Sequence, residues 1–275
     1  MNEDTSDLDP LTLDPPGTIA VLGTTPIGIE AALYGRYLGY DVTLIAGADV
    51  WQSRPFANAV FQRIGPTFRD DWFANHWLKS DDLEVRWNDP MPMMPDRCLS
   101  PLAFSAIDAQ QQDRLRPRPS TIRQWIEVGL YEVIRTDLLR GRVFTDTFVK
   151  SIDLVAVEED DKSGDDPTDD SADEFEEVPP DFLLTLAGSP LTQHADDTDN
   201  HPLRCECVIV ADIPTSGWQR TFDLPTDYYF EIDPDAATDM ADAEQWLRSG
   251  WQQIAAVYAS LAGRPNLDLY RPRRT

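Results

Sequence analysis

The sequence predicts an α/β fold, a parallel sheet flanked by helices with a small antiparallel β insertion. Three observations carry that expectation. An apolar run, Thr18-Ile19-Ala20-Val21-Leu22, leads through a glycine-bounded turn into a helical pattern and then a second apolar run. Continuous apolar runs of this length suit strands buried on both faces, as in a parallel sheet. Further strand-like runs recur late in the chain, and a helix with one apolar face closes it.

The elements follow in order. Residues 1–16 are polar, acidic and proline-containing and read as a loose tail. The first strand is 18–22. The helix over 26–38 begins on Pro26, whose missing N–H costs nothing in a first turn. Ile27, Ala31, Tyr34 and Leu38 recur every three or four residues, and Gly39 is placed as a stop. Val42–Ile45 is the second strand, so the unit is a right-handed βαβ crossover. Residues 50–120 form an irregular segment rich in Trp, Phe, Pro and Met, with short helices expected at 55–64 and 101–112. It reads either as a cover over a groove or as a packed irregular excursion.

Residues 121–140 carry the clearest helical pattern. Ser120 or Thr121 can cap it. Ile122, Trp125, Ile126, Leu130, Val133, Ile134 and Leu138 form its stripe, and Gly141 ends it. Strands follow at 143–144 and 148–157. Residues 158–178 are dense in Asp and Glu and are expected to be a disordered loop. Strands at 182–186 and 205–210 come next. If the first of these pairs with 148–157, the acidic run is an overgrown hairpin loop, which costs little closure entropy. The last helix, 239–262, has Ala243, Trp246, Leu247, Gly250, Ile254, Val257 and Leu261 near one face. The expected organisation is a tail at 1–16 and a single domain over 17–275.

Charge excludes whole classes of partner. The 275 residues hold 23 Lys and Arg against 49 Asp and Glu, a net charge of −26. Nucleic acid and anionic membrane surfaces would both repel such a chain. No apolar run approaches the roughly 18–20 residues of a membrane span. The opening Met1-Asn2-Glu3-Asp4 lacks the basic-then-apolar order of a signal peptide, so the expected compartment is the cytoplasm. Three cysteines, an odd number, fit a reducing compartment.

The chemistry concentrates in Gly23-Thr24-Thr25-Pro26-Ile27-Gly28, between strand and helix. A dinucleotide fold needs three small positions there: one for the tight turn, one for backbone approach to the pyrophosphate, one for helix–strand packing. The helix N-terminus then offers free N–H groups and a positive dipole end to the phosphates. Gly23 and Gly28 match the first and third positions. Thr25 stands at the second, where its branched side chain would intrude, although its hydroxyl could donate to a phosphate oxygen. A ribose-binding acid belongs about 20 residues beyond the motif. Ala46 stands there instead, with Asp49 past the strand end and Asp41 at the wrong edge of the sheet.

The stretches Thr18–Gly23, Pro26–Tyr34 and Leu38–Leu44 resemble the opening of FAD-dependent oxidoreductases of the two-dinucleotide-binding-domain type. Two weaker stretches agree. Cys205–Asp212 is similar to a late strand that ends in Ala-Thr-Gly in those flavoproteins, with Asp212 and Ile213 replacing the last two residues. The strand around Val149 falls where the family contacts adenine. The resemblance implies a Rossmann-like domain and FAD as cofactor. It implies a cofactor site of Gly23, Thr24, Thr25, Pro26, Ile27, Gly28, Ala46, Val149 and Ala211. It implies a flavin-dependent oxidoreductase acting on an unidentified small molecule, and assigns no catalytic side chain. Thr25, Ala46 and Asp212-Ile213 depart from the pattern at cofactor positions. The alternative is therefore a non-catalytic descendant, a binding or scaffold protein whose acidic loop meets a protein partner. No second glycine loop is spaced for a separate NAD(P) domain.

Other chemistry is weaker. Cys205 and Cys207, two apart on one expected strand, would share a face. They read as buried structural thiols in preference to a metal site with His194 and His201. Cys98 is isolated. No G-x-S-x-G elbow supports a serine hydrolase. Arg114, Arg116, Arg118 and Arg123, like Arg271, Arg273 and Arg274, read as partners for the chain's own carboxylates before an anion clamp. Trp72, Trp77 and Trp87 read as core anchors or groove lining.

Overall fold

The computed structural model describes residues 17–23, 25–45, 97–110, 119–121, 124–144, 147–156, 180–188, 201–211, 218–234 and 243–271. The expected tail, the helix at 55–64, the acidic loop from 158 and the arginines at 114–118 and 123 lie outside them.

The chain runs β1 (Thr18–Leu22), α1 (Pro26–Leu38), β2 (Asp41–Ile45) and α2 (Pro101–Gln110). A π-helical turn (Trp125–Leu130) and the short α3 (Tyr131–Ile134) lead to β3 (Val143–Phe144), β4 (Thr147–Val155), β5 (Asp181–Gly188) and β6 (His201–Cys205). Then come β7 (Cys207–Val210), β8 (Gln219–Arg220), β9 (Tyr229–Glu231) and α4 (Ala243–Leu261).

The main sheet has the order β3-β2-β1-β7-β9, and every pair in it is parallel. This is the expected α/β, Rossmann-like sheet with helices packed on it. Alternation along β1 explains its two-sided burial. Ile19 and Val21 face α1 and α4, whereas Ala20 and Leu22 face the second sheet. Gly39 ends α1 in a left-handed conformation (φ +96°), with its N–H bonded to Arg36 O and that of Tyr40 to Gly35 O.

The second sheet, β6-β5-β4-β8, takes β4, β5 and β6 from the chain between β3 and β7, and β8 from the chain between β7 and β9. Its β4-β5-β6 portion is antiparallel, as expected, but β8 joins β4 in parallel, so the sheet is mixed. Ile152, Phe182, Leu184 and Leu186 pack against Ala20, Leu22, Val208 and Val210 to form the core between the sheets.

Two expectations need correction. The long helix at 121–140 is a π-helical turn and one α turn, followed by non-helical turns to Gly141. The Trp125 N–H bonds back to Thr121 O at 3.0 Å, and its indole N–H donates to the Cys98 carbonyl at 2.8 Å. Thr136 accounts for its end. Its hydroxyl donates to the Val133 carbonyl at 2.6 Å, local competition that favours chain reversal over helix. The expected strand 205–210 breaks at Glu206. Cys205 closes β6 in the insertion and Cys207 opens β7 in the main sheet. The two thiols therefore belong to different cores and do not share a face.

Candidate functional site

The glycine turn lies at the carboxyl ends of β1, β2 and β7, the edge at which α/β sheets bind ligands. Gly23 leaves β1 with φ +152°, a conformation open to glycine, and its N–H donates to Ile45 O at 3.1 Å. The turn is thereby stitched across the end of β2. Gly28 faces back onto this turn. A Cβ there would come within 2.8 Å of the Gly23 carbonyl oxygen. The first and third glycines thus meet the steric demands that their spacing predicts.

Thr25 is the N-cap of α1, in extended conformation (φ −78°, ψ 167°), and makes no side-chain cap bond. It is 1% exposed, and its Oγ1 has no hydrogen-bond partner. The first N–H bonded back along the helix is that of Ile29, to Thr25 O at 3.2 Å. Pro26 has no N–H. The amides of Ile27 and Gly28 therefore precede the helical ladder. A buried hydroxyl and two helix-terminal amides stand together at the positive end of a 13-residue helix. Donors so grouped are of the kind that an acceptor-rich anion satisfies.

The other expected site residues divide. Ala211 is 3% exposed just beyond β7, and its N–H donates to Leu22 O at 2.8 Å, beside the turn. Val149 lies on β4 opposite Leu186, next to a β-bulge, and packs against the cluster that includes Leu22, Ile45 and Val210. Thr24, Ala46, Asp212 and Ile213 lie outside the described residues, as do Asp49, His194 and the three tryptophans at 72, 77 and 87. Cys205 is pushed up to about 12 by burial, and burial likewise drives the Cys207 thiol well above its ordinary value. Both are buried and free, and neither is poised as a nucleophile. His201 sits at the opposite end of β6 from Cys205. Among the described residues no cluster of three metal-ligating side chains occurs.

The sequence reading missed the part played by α4. Gly250 packs directly on the Ile27 side chain in the first turn of α1, leaving no room for a Cβ. Gln253 makes two 2.9 Å bonds to the main chain of Asp233, accepting from its N–H and donating to its carbonyl. Asp233 follows β9 at the same sheet edge. One helix thus fixes both the amino end of α1 and the exit of β9. A glycine inside a helical stripe is the sequence signal for the first contact. No spacing rule announces the second.

No family model matches this chain, and no curated protein matches it. Solved structures do. S-allyl-L-cysteine S-oxygenase from Allium sativum aligns with a TM-score of 0.38 and 13% identity, over 70% of this chain and 36% of that one. OTEMO in complex with FAD and NADP aligns with a TM-score of 0.34 and 15% identity, over 74% and 27%. THI4 from Thermovibrio ammonificans aligns with a TM-score of 0.31 and 12% identity, over 73% and 57%. This chain spans less than two thirds of each. The likeness is one of general chain course, and no residue role or activity is carried over from it.

Proposed function

We propose that this protein binds a dinucleotide of the FAD/NAD(P) type, FAD foremost, with the diphosphate held at the amino end of α1. The observation that carries this reading is the unpartnered, buried Thr25 hydroxyl beside the unladdered Ile27 and Gly28 amides. In this role Thr25 donates a hydrogen bond to a phosphate oxygen in place of the backbone approach a glycine would allow. Gly23 and Gly28 keep the turn narrow enough for the amides to reach. Ala211 lines the adjoining strand end with a small side chain. A bound flavin would supply the electron chemistry of an oxidoreductase acting on a small molecule, and the chain's task is to bind and orient it.

One observation favours a second reading. Thr25 fills the position that backbone approach leaves empty, with a side chain 1% exposed. That occupation suits a non-catalytic descendant, a binding or scaffold protein that has kept the sheet and given up the cofactor.

Purification and titration separate the two. Dinucleotide binding predicts a yellow protein that releases flavin on denaturation, or an apoprotein that takes up added FAD or NAD(P). A colourless protein with no uptake in calorimetry supports the scaffold reading.

A further inference from the structure

Helices α1 and α4 lie side by side and run the same way. Gly250 packs on the Ile27 side chain, and the Tyr258 hydroxyl reaches Gly35 and the Ala31 carbonyl. The stretch from Gly250 to Tyr258 thus runs alongside that from Ile27 to Gly35, and both amino ends open on the carboxyl edge of the main sheet. Gln253 holds α4 at that height through its two bonds to Asp233. Trp246 stands one turn before Gly250, on the row that carries Ile254 and Tyr258. The offset that sets Gly250 against Ile27 sets Trp246 level with Gly23, in the glycine turn. Side chains on a helix lean toward its amino end, so the indole leans further in that direction.

Trp246 is 2% exposed, and its Nε1 has no hydrogen-bond partner. A buried indole N–H ordinarily finds an acceptor, and it can only donate. Among the described residues of the two helices, the other buried side-chain atom without a partner is Glu30 Oε1. It lines a cavity of about 10 Å³ with Cys98, Leu99, Ser100 and Ala103, on the α2 side of α1, to which Trp246 does not contribute. The counterpart of Trp246 is Thr25, the N-cap of α1, whose buried hydroxyl lacks a partner at the same edge of the sheet. Each helix therefore brings one buried donor without an acceptor to the same end of the molecule.

We propose that Trp246 is a second side-chain donor of the site at the amino end of α1, its indole N–H taking an acceptor oxygen of the ligand that Thr25 does not take. This rests on the dinucleotide reading above and extends it from α1 to α4. Packed helices lie about 8–10 Å apart. A ligand that satisfies both donors therefore carries acceptors along its length, as a dinucleotide does. Gly250 serves the arrangement by letting α4 approach α1 closely, one turn behind Trp246.

The test is calorimetric titration of the full chain with FAD and with NADP, the tighter of the two being used to compare wild type with Trp246→Phe. The expected result is about three- to tenfold weaker binding in the variant, the worth of one neutral hydrogen bond. The Trp246 indole N–H resonance of the wild type, assigned by NMR, should move downfield on saturation with the same dinucleotide. Wild-type protein that takes up neither dinucleotide overturns both readings. Wild-type binding with an unchanged affinity in Trp246→Phe overturns this inference alone and leaves the site at Thr25 standing. Weaker binding with an unmoved indole resonance also overturns it, because the loss then comes from packing. Should Trp246→Phe fail to fold, the wild-type resonance decides by itself: a downfield move supports the inference and an unmoved line overturns it.

Discussion

The hydroxyl of Tyr258 stands where a Cβ on Gly35 would be. It donates to the Ala31 carbonyl at 2.9 Å, and the two rings of Tyr34 and Tyr258 stack at 5.1 Å. Helices α1 and α4 approach at this point because position 35 carries no side chain. Gly35→Ala is expected to cost about 1–3 kcal/mol, the range for overpacking a filled core. Tyr258→Phe alone should cost about 1 kcal/mol for the lost hydrogen bond. The double variant should be less destabilised than the sum of the two, because the phenylalanine removes the nearest of the atoms that crowd the alanine, with Val42 Cγ2 still 2.8 Å from its Cβ. Urea unfolding of the four proteins measures this.

Thr25→Val separates binding from folding. The change keeps the shape and removes the hydroxyl. If Thr25 donates to a phosphate, dinucleotide affinity should fall about ten- to a hundredfold, the worth of a hydrogen bond to a charged group. Stability of the ligand-free protein should hold or rise, because a buried hydroxyl without a partner is gone. Calorimetric titration and urea unfolding are the two readouts.

Glu30 makes stability depend on pH in the opposite sense from a salt-bridged carboxylate. Its folded value, about 7, lies above the ordinary 4.5, so the folded state holds the proton more tightly. Its stabilising contribution is complete below about pH 4.5 and is lost as pH rises through about 7. The total is on the order of 3 kcal/mol. Unfolding free energy measured at steps from pH 5 to pH 8 should decline in the wild type more than in Glu30→Gln. Equal slopes would refute it.

Gln253→Ala should release the exit of β9. Both its bonds to Asp233 are lost at once, at about 1–2 kcal/mol. The Asp233 amide should exchange faster in the variant, while amides inside β1 keep their protection.

Cys205 and Cys207 should resist alkylation in the native protein at pH 8, since burial holds both thiols in the protonated form. Both should react when the chain is unfolded in denaturant. Mass spectrometry after iodoacetamide treatment distinguishes the two states.

The legible part of this fold was its local part. β1, α1 and β2 follow from an apolar run, a glycine turn and a three-four spacing, and the structure has each at the expected place. Gly28 was readable for the same reason, because the clash that demands it lies five residues away at Gly23. What went unread depends on contacts distant in sequence. The π-helical turn inside the helix expected at 121–140 carries the bond from the Trp125 indole to the Cys98 carbonyl, 27 residues back. The strand at 205–210 reads as one apolar-rich run, yet two sheets claim its halves. Glu206 carries the break. Its carboxylate takes the Gly17 N–H at 2.7 Å and the Thr18 hydroxyl at 3.3 Å, across 189 and 188 residues. Glu30 looked like an ordinary polar position on a helix, and only the packing of three separate segments around it makes it a buried acid.

The single residue between β6 and β7 has a mechanical consequence. Glu206 is the whole of the connection between the sheets at that point, so neither can pivot or detach without pulling the other out of register. The chain passes between the sheets again from β3 to β4, from β7 to β8 and from β8 to β9, so calorimetry should record one endotherm in which both sheets melt together.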